Sequence, residues 1–574
     1  MIKLDDIRRH AAARPDAIAL VDGPTRLSWT AFADAVDRFA AGLVARLPET
    51  RPARAVFLSG PRWELAVALA ACATLGIPCT GLDPQEDPGR LEAVLGLLDP
   101  CAVFVTAEYR PLLAGRTWPA GSRALEIALD GPAEGDSGEP AADEAVSEER
   151  AQDAGTRPEP PLAPPAEVSS APDSRTPDAP RPDAPVSFHR LMRTGPSRRL
   201  PAPLHRESLR VVPGARGPRI AVRRIAAEGR GLVDLVDEFG FAPGDVHLVA
   251  APLWQPLSLQ MAQTLLAVGA TVLLDDTQDP ETVAVLAAGE GATTAVIAPG
   301  VLGRLLVHPV SAMLAHSGRL RCVITPGRHL GRWTVNAAWE RLGPVLHLAY
   351  GTPEAGLSMI LTPEEAQVAR ARTGRAVLGT TVAVLDESGA VLPAGRPGRV
   401  AVAGHHVMDG YLDGEDAFVT LDAGTGEQRF FVTDDLGVLD ERGRLTLVGR
   451  GSGVTRPVRD RAVDAALFRL EADLLNLPCL RDTAVVRVDL PALGDAFVVP
   501  FIAVAVGREA TGYRALRTAC ARRLPSIPAH VIAVDHIPYS PTGRIRTAEL
   551  LEAVMPIISL NLQLEQSARQ EISA

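Results

Sequence analysis

Lysine is nearly missing from this chain: Lys3 stands alone against 57 arginines. A guanidinium neither loses its proton nor forms a Schiff base, so a mechanism needing an amine in the body of the protein is excluded. Long apolar runs are absent too. No stretch reaches the roughly 20 apolar residues of a membrane helix. The opening segment, MIKLDDIRRHAAARPDAIAL, lacks the apolar core of a secretory leader, so a cytoplasmic protein is expected. Six cysteines (Cys72, Cys79, Cys101, Cys322, Cys479 and Cys520) carry no C-x-x-C spacing, which excludes common zinc and dithiol motifs. They are expected to be buried free thiols. Positive charge is in deficit, with a formal net charge of −11, and this argues against a nucleic-acid binder.

What is present is a chain of 574 residues, 47% hydrophobic and 22% charged, long enough for several structural units around a large core. One stretch stands apart. Asp130 to Val186 holds almost no large apolar side chain and carries 14 acidic against 4 basic residues. Burial there cannot offset chain entropy, so residues 130–186 are expected to be a disordered acidic insert rich in Pro and Ala. Nearly all the net charge lies in it. Around the insert, helical and strand patterns alternate. LSWTAFADAVDRFAAGLVARL has helical spacing, ARAVFLSG reads as a strand, and RWELAVALAACATLG is helical again. DVHLVAAPL, TTAVIAP, RLRCVITPG and PVLHLAYG continue the series after it. This βαβ rhythm implies a parallel sheet. From Gly374 to Gly449 short strands alternate with Gly and Pro turns, the mark of a small antiparallel unit. The remainder mixes short strands and helices.

Three segments carry chemistry. In LAYGTPEAG a strand ends at Tyr350, Gly351 permits a tight turn, and the carboxylate of Glu354 follows. Such a turn at the C-terminal edge of a parallel sheet is a common ligand position. Glu354 can hold Mg²⁺ there, and Tyr350 can stack on a base. In FFVTDDLGVLDERGRLTLVGR, Asp435 follows Thr433 in a turn between strands, and Arg450 ends the next hairpin. A carboxylate accepts hydrogen bonds from a ribose diol, and an arginine clamps a phosphate or the same ribose. In IPYSPTGRIRTAEL, Arg544 and Arg546 project from a Pro-Gly turn, where they could place a cation on a phosphate. Taken singly, each segment also fits an ordinary surface turn.

Their order and spacing resemble the adenylate-forming superfamily of acyl-CoA synthetases, nonribosomal-peptide adenylation domains and luciferases. YGTPE is similar to its Tyr-Gly-x-Thr-Glu loop, GRPGRVAVAGHHVMDGYLDGEDAF to its Gly-Glu-Leu…Gly-Tyr segment, TDDLG to its Thr-Gly-Asp, VGR to its hinge, and PTGRIR to its catalytic Gly-Lys turn. The resemblance implies an α/β fold. A large N-terminal lobe would hold two doubly wound α/β subdomains (residues 1–129 and 187–373) and a small β-barrel (374–450). A small mobile α+β domain (451–574) would follow. It also implies ATP and Mg²⁺ as cofactors and a small carboxylic acid as substrate. CoA or an acyl carrier protein would be the acceptor. Tyr350, Gly351, Thr352, Asp435 and Arg450 would then line the nucleotide, Glu354 would bind Mg²⁺, and Arg544 would be catalytic with Glu354.

Four departures stand out. The phosphate loop is assigned to LMRTGPSRRLPAPLHRE, where only Thr194, Gly195 and Ser197 match the family's Ser/Thr/Gly-rich pattern and Pro196 lacks an N–H. Arg544 replaces the catalytic lysine. Ser452 holds the hinge position, and the glycine of the thiol-acceptor loop is missing. Pro353 replaces a threonine, and Gln255 in PLWQP stands where histidine or an aromatic is usual. Three functions fit: a divergent acid ligase of specialised metabolism such as antibiotic biosynthesis; a degenerate homologue that binds a nucleotide, acyl ligand or partner; and a fold turned to ATP-independent acyl transfer or condensation. Trp254, Trp333 and the helix around Met261 are candidates for the acyl pocket.

Overall fold

The computed structural model describes residues 2–47, 53–114, 124–130, 186–193, 195, 207–212, 217–225, 229–275, 277–326, 330–368, 373–414, 417–424, 426–450, 458–477, 480–490, 495–504, 509–523, 532–534, 537–539 and 545–552. Most of the insert therefore lies outside the described residues. Its two ends, Asp130 and Val186, are seated in the fold. Asp130 accepts hydrogen bonds from the Ala107 amide, and Val186–Ser187 forms a short strand.

Two parallel sheets form the large lobe. The first has nine strands. Six of them run parallel, in the order Leu346–Thr352, Cys322–Pro326, Thr294–Ile297, Val246–Ala250, Thr271–Leu274, Ile18–Asp22. Antiparallel strands finish both edges: Gly356–Leu361 and Arg375–Ala376 at one, Thr25–Ser28 at the other. The second sheet is all parallel, in the order Cys79–Gly81, Ala55–Leu58, Ala102–Val105, Leu125–Ala128, Val186–Ser187. The strands Ala55–Leu58 and Ala102–Val105 are buried along their whole length, as expected when helices cover both faces of a sheet.

Helices Trp29–Val44 and Trp63–Leu75 fill the space between the two sheets. The first starts at Ser28, whose hydroxyl accepts from the Ala31 amide. The second stops at Gly76 in the left-handed region. Trp29, Phe32, Phe39, Phe57, Phe104 and Phe188 are all fully buried in this core. Each such ring contributes about 1.5–3 kcal/mol of burial free energy.

Residues 380–450 form a five-stranded antiparallel sheet. Its long central strand, Glu427–Leu439, pairs with Gly398–Gly404, Phe418–Asp422 and Leu445–Arg450, and Thr380–Leu385 completes the sheet. Among the described residues no pairing closes it into the expected barrel. A separate three-stranded antiparallel sheet joins Glu207–Val212, Arg219–Arg224 and Gly410–Tyr411. The C-terminal part contains helices Val458–Leu475 and Glu509–Arg523 and a sheet of Leu480–Leu490, Asp495–Val504 and Ile532–Ala533. It touches the large lobe where Arg546 donates to Gln85 (2.8 Å). The five described cysteines, Cys72, Cys79, Cys101, Cys322 and Cys520, are buried. No described helix is long and apolar enough to cross a membrane.

Candidate active site

The site forms where the edge of the nine-stranded sheet meets the two antiparallel sheets. The strand expected to end at Tyr350 continues through Gly351 to Thr352, and the turn is Pro353–Ala355. A register shift lies between Tyr350 and Gly351. Gly351 is required there: a Cβ at this position would lie 2.0 Å from the Gly356 carbonyl oxygen. Gly356 itself has φ +67°, so both ends of the loop need glycine. The Glu354 carbonyl accepts from the Met408 amide (2.7 Å), which ties the loop to the segment ahead of Tyr411.

Asp435 is not in a turn. It sits inside the strand Glu427–Leu439 and is buried. Tyr350 Oη donates to Asp435 Oδ2 at 2.6 Å, and the Asp435 amide donates to Thr433 Oγ1. Tyr350 is also buried, packed with Met359, Val400, Val402 and Phe431. The Arg450 backbone pairs in register with Asp435. The two acids from distant segments thus share one neighbourhood, joined through Tyr350 and the loop that follows it.

The three-stranded sheet supplies residues that the sequence reading missed. Its register sets Arg210 and Tyr411 opposite Ala221. Residues directly opposite, and those two apart on one strand, share a face. One face therefore carries Arg210, Arg219, Ala221, Arg223 and Tyr411. The other face packs Leu209, Val211, Ile220 and Val222 against the second parallel sheet. On the polar face Tyr411 Oη donates to Glu354 Oε1 (3.1 Å). Burial and the Glu354 carboxylate push the Tyr411 hydroxyl well above its ordinary pKa, so it stays a donor. The Arg219 guanidinium lies 3.5 Å from the Tyr411 ring centroid and makes a two-pronged pair with Asp413 (3.0 and 2.8 Å). Arg210 Nη1 donates to the Pro353 carbonyl (2.9 Å). The alternation Arg219-Ile-Ala-Val-Arg223, following the glycine-bracketed Gly214-Ala-Arg-Gly217-Pro218, is the signal that could have located this face.

Gly195 is exposed with open space around it. Thr194, Ser197, Arg544 and the Arg450 side chain lie outside the described residues. Thr352 Oγ1 accepts from the Ala355 amide and so braces the loop. Among the described residues no group of three or more His, Cys, Asp or Glu side chains gathers as a metal centre. A lone carboxylate such as Glu354 still suits Mg²⁺ when phosphate oxygens supply the remaining ligands.

A cavity of about 560 Å³ opens next to this loop, and Arg210 lines it. Trp254, Gln260 and Thr264, from the start and body of the helix Pro256–Val268, form one wall, and the chain's single lysine, Lys3, also lines it. Of the acyl-pocket candidates, Trp254 and the helix around Met261 are on the lining, though the Met261 side chain itself is not. Met261 is buried in the core between the sheets, and Trp333 packs in the apolar cluster on the other side. Gln255 is buried and caps the helix.

The pattern of an AMP-binding enzyme matches residues 7–187 and 221–412, a span that includes the Tyr350–Glu354 loop and Tyr411. The chain belongs to the AMP-binding enzyme family. This family member is 26% identical over 558 residues to 4-coumarate–CoA ligase-like 4 of Oryza sativa subsp. japonica, covering 95% of the chain and 91% of that protein. It is 27% identical over 333 residues to 4-coumarate–CoA ligase 1 of the same plant, where the match spans only 55% of that protein. Its fold matches the amide bond synthetase McbA of Marinactinospora thermotolerans (TM-score 0.68, 22% identity, 95% of this chain and 99% of that one). It also matches a benzoate CoA ligase of Burkholderia xenovorans LB400 (TM-score 0.69, 18% identity, 95% and 99%). The chain is thus a member of the AMP-binding enzyme family, with the fold that this amide bond synthetase and this benzoate CoA ligase share.

Proposed function

We propose that the protein activates a small carboxylic acid with ATP, giving an acyl-adenylate and pyrophosphate, and then passes the acyl group to CoA, a carrier-protein thiol or an amine. The observation that carries this reading is the pairing of two acids with two tyrosines, Asp435 with Tyr350 and Glu354 with Tyr411, around a single loop. Asp435 would accept hydrogen bonds from the ribose hydroxyls. Arg219, fixed by Asp413 and by the Tyr411 ring, would present a permanent positive charge to the phosphates. Glu354 would hold Mg²⁺, which when bound neutralises charge on the phosphate oxygens. Thr194, Gly195 and Ser197 would add phosphate contacts. Arg544 would offer a second cation from the C-terminal domain, whose rotation about the segment after Arg450 would exchange the two half-reactions. The cavity beside Arg210 would take the acid. Specialised metabolism is the setting we favour.

The test is pyrophosphate release from Mg-ATP across a panel of acids, with Glu354→Gln and Asp435→Ala as controls. Release with one acid class, lost in both variants, supports the reading. Adding CoA or an amine in separate arms then identifies the acceptor. Nucleotide binding with no release from any acid would overturn it.

A further inference from the structure

The cavity lining is unusual in its charge. Arg210 is buried, with 7% of its surface exposed, and Arg223 is half-buried on the same face of the three-stranded sheet. Among the described residues Arg210 makes one hydrogen bond, to a neutral carbonyl, and forms no ion pair. Arg223 has neither, and its Nε is buried without a partner. The two carboxylates near them are occupied. Glu354 Oε1 accepts from Tyr411, and Asp409 Oδ2 accepts from the Arg224 amide. His406, beside them, is fully buried, holds Gln260 at 3.3 Å through Nδ1, and leaves Nε2 without a partner. Arg210 and Arg223 thus line one void, with the buried His406 beside them.

The Glu354 and Asp409 carboxylates lie near enough to attract Arg210 and Arg223 but bond to neither, and buried guanidinium N–H groups left without acceptors are costly, so an anionic acceptor in the cavity would complete them. The strain shows in the titration of the cluster. Burial and the nearby Arg223 lower Arg210 to about 9 even though the Glu354 carboxylate opposes the shift, and burial with both arginines nearby lowers His406 to about 3. The histidine is neutral at ordinary pH and adds no charge. The cluster therefore holds two guanidiniums with open donors, a neutral imidazole, and two carboxylates whose hydrogen bonds go elsewhere. Arg210 also bonds the loop that carries Glu354, so an anion held at this cluster would lie within a small molecule's reach of the proposed reaction centre.

We propose that the acid substrate carries a second carboxylate, which Arg210 and Arg223 receive in this cavity, while its first carboxylate reacts. This rests on the ligase reading for the reacting end only. A planar carboxylate between two guanidiniums gains charge-assisted hydrogen bonds that a methyl or phenyl group cannot form. A site built to pair with an anion strongly rejects the analogue that lacks it, because its own charges are then left unpaired.

The experiment pairs short aliphatic and benzene dicarboxylates with monocarboxylates of equal length. For each pair, pyrophosphate release by the full chain is measured as kcat/KM, and binding without ATP is measured by calorimetry. The expected result is a preference of about 10- to 100-fold for a dicarboxylate, the size of one well-made charged contact. Arg223→Gln should abolish that preference by raising KM for the dicarboxylate. Arg223→Lys should restore part of it. Dicarboxylate binding that Arg223→Gln abolishes, without release from any acid, supports the anion site while removing the ligase reading. Equal or better turnover of monocarboxylates, unchanged by Arg223→Gln, overturns the proposal and leaves the ligase intact. An Arg223→Gln effect on KM for CoA but not for the acid, absent with dephospho-CoA, would assign the anion to the acceptor's phosphate and likewise overturn it.

Discussion

Replacing Asp435 with asparagine separates its structural role from the nucleotide-binding role proposed for it. The side chain keeps its shape, and the asparagine carbonyl oxygen can still accept from Tyr350 Oη, now 2.6 Å from Oδ2. The strand Glu427–Leu439 should therefore stay paired on both sides. What is lost is the negative charge that would face the ribose diol. A hydrogen bond to a charged group is worth about 1.5–3 kcal/mol. At about 1.4 kcal/mol per tenfold, that predicts ATP binding weaker by about 10- to 150-fold. Tyr350→Phe perturbs the other partner. It removes a donor from a buried carboxylate and should cost about 1–3 kcal/mol of folding stability. Calorimetric titration with Mg-ATP in the absence of acid reads the first effect, and urea unfolding reads the second. If Asp435→Asn binds ATP as tightly as the parent while unfolding at the same urea concentration, the ribose assignment is wrong.

Three further outcomes follow from the geometry. Gly351→Ala pushes a Cβ into the Gly356 carbonyl, so it should destabilise the loop by about 1–3 kcal/mol and lower turnover, read by unfolding and by pyrophosphate release. Arg219→Ala should raise KM for ATP while leaving acid binding unchanged, because the guanidinium pairs with Asp413 and Tyr411 rather than lining the acid cavity. His247 is fully buried, and burial lowers it to about 3, so the native state refuses a proton that the unfolded chain takes below about 6.5. Stability should fall as pH drops from about 6.5 toward 3, by up to about 1.4 kcal/mol per pH unit for this group. His406 adds a similar slope. His247→Leu should flatten the dependence seen in urea unfolding at about pH 7 and pH 5, and an unchanged slope would refute the account.

The βαβ rhythm was legible because buried parallel strands such as Ala55–Leu58 and Val246–Ala250 are short apolar runs bounded by glycine, proline or charge. The Tyr350 and Asp435 segments were legible as motifs, but their local shape was not. Thr-Asp-Asp-Leu-Gly has the composition of a turn, yet partners on both sides hold it extended within a 13-residue strand. Tertiary pairing overrides local preference there. Arg210 and Arg223 were illegible for another reason. Among 57 arginines neither differs from the rest until the fold shows which ones leave water. Only the strand register shows that Arg219 shares a face with Tyr411.

The strand Val186–Ser187 lies parallel to Leu125–Ala128, and Phe188 just beyond it is fully buried among Phe39 and Trp63. Ladder bonds and a ring cluster therefore hold the two flanks of the acidic stretch in place independently of the peptide that links them. Two separately expressed polypeptides, 1–130 and 186–574, contain between them every described pairing of that sheet. The molecule is accordingly a natural candidate for split-protein reassembly, with the cut site already marked.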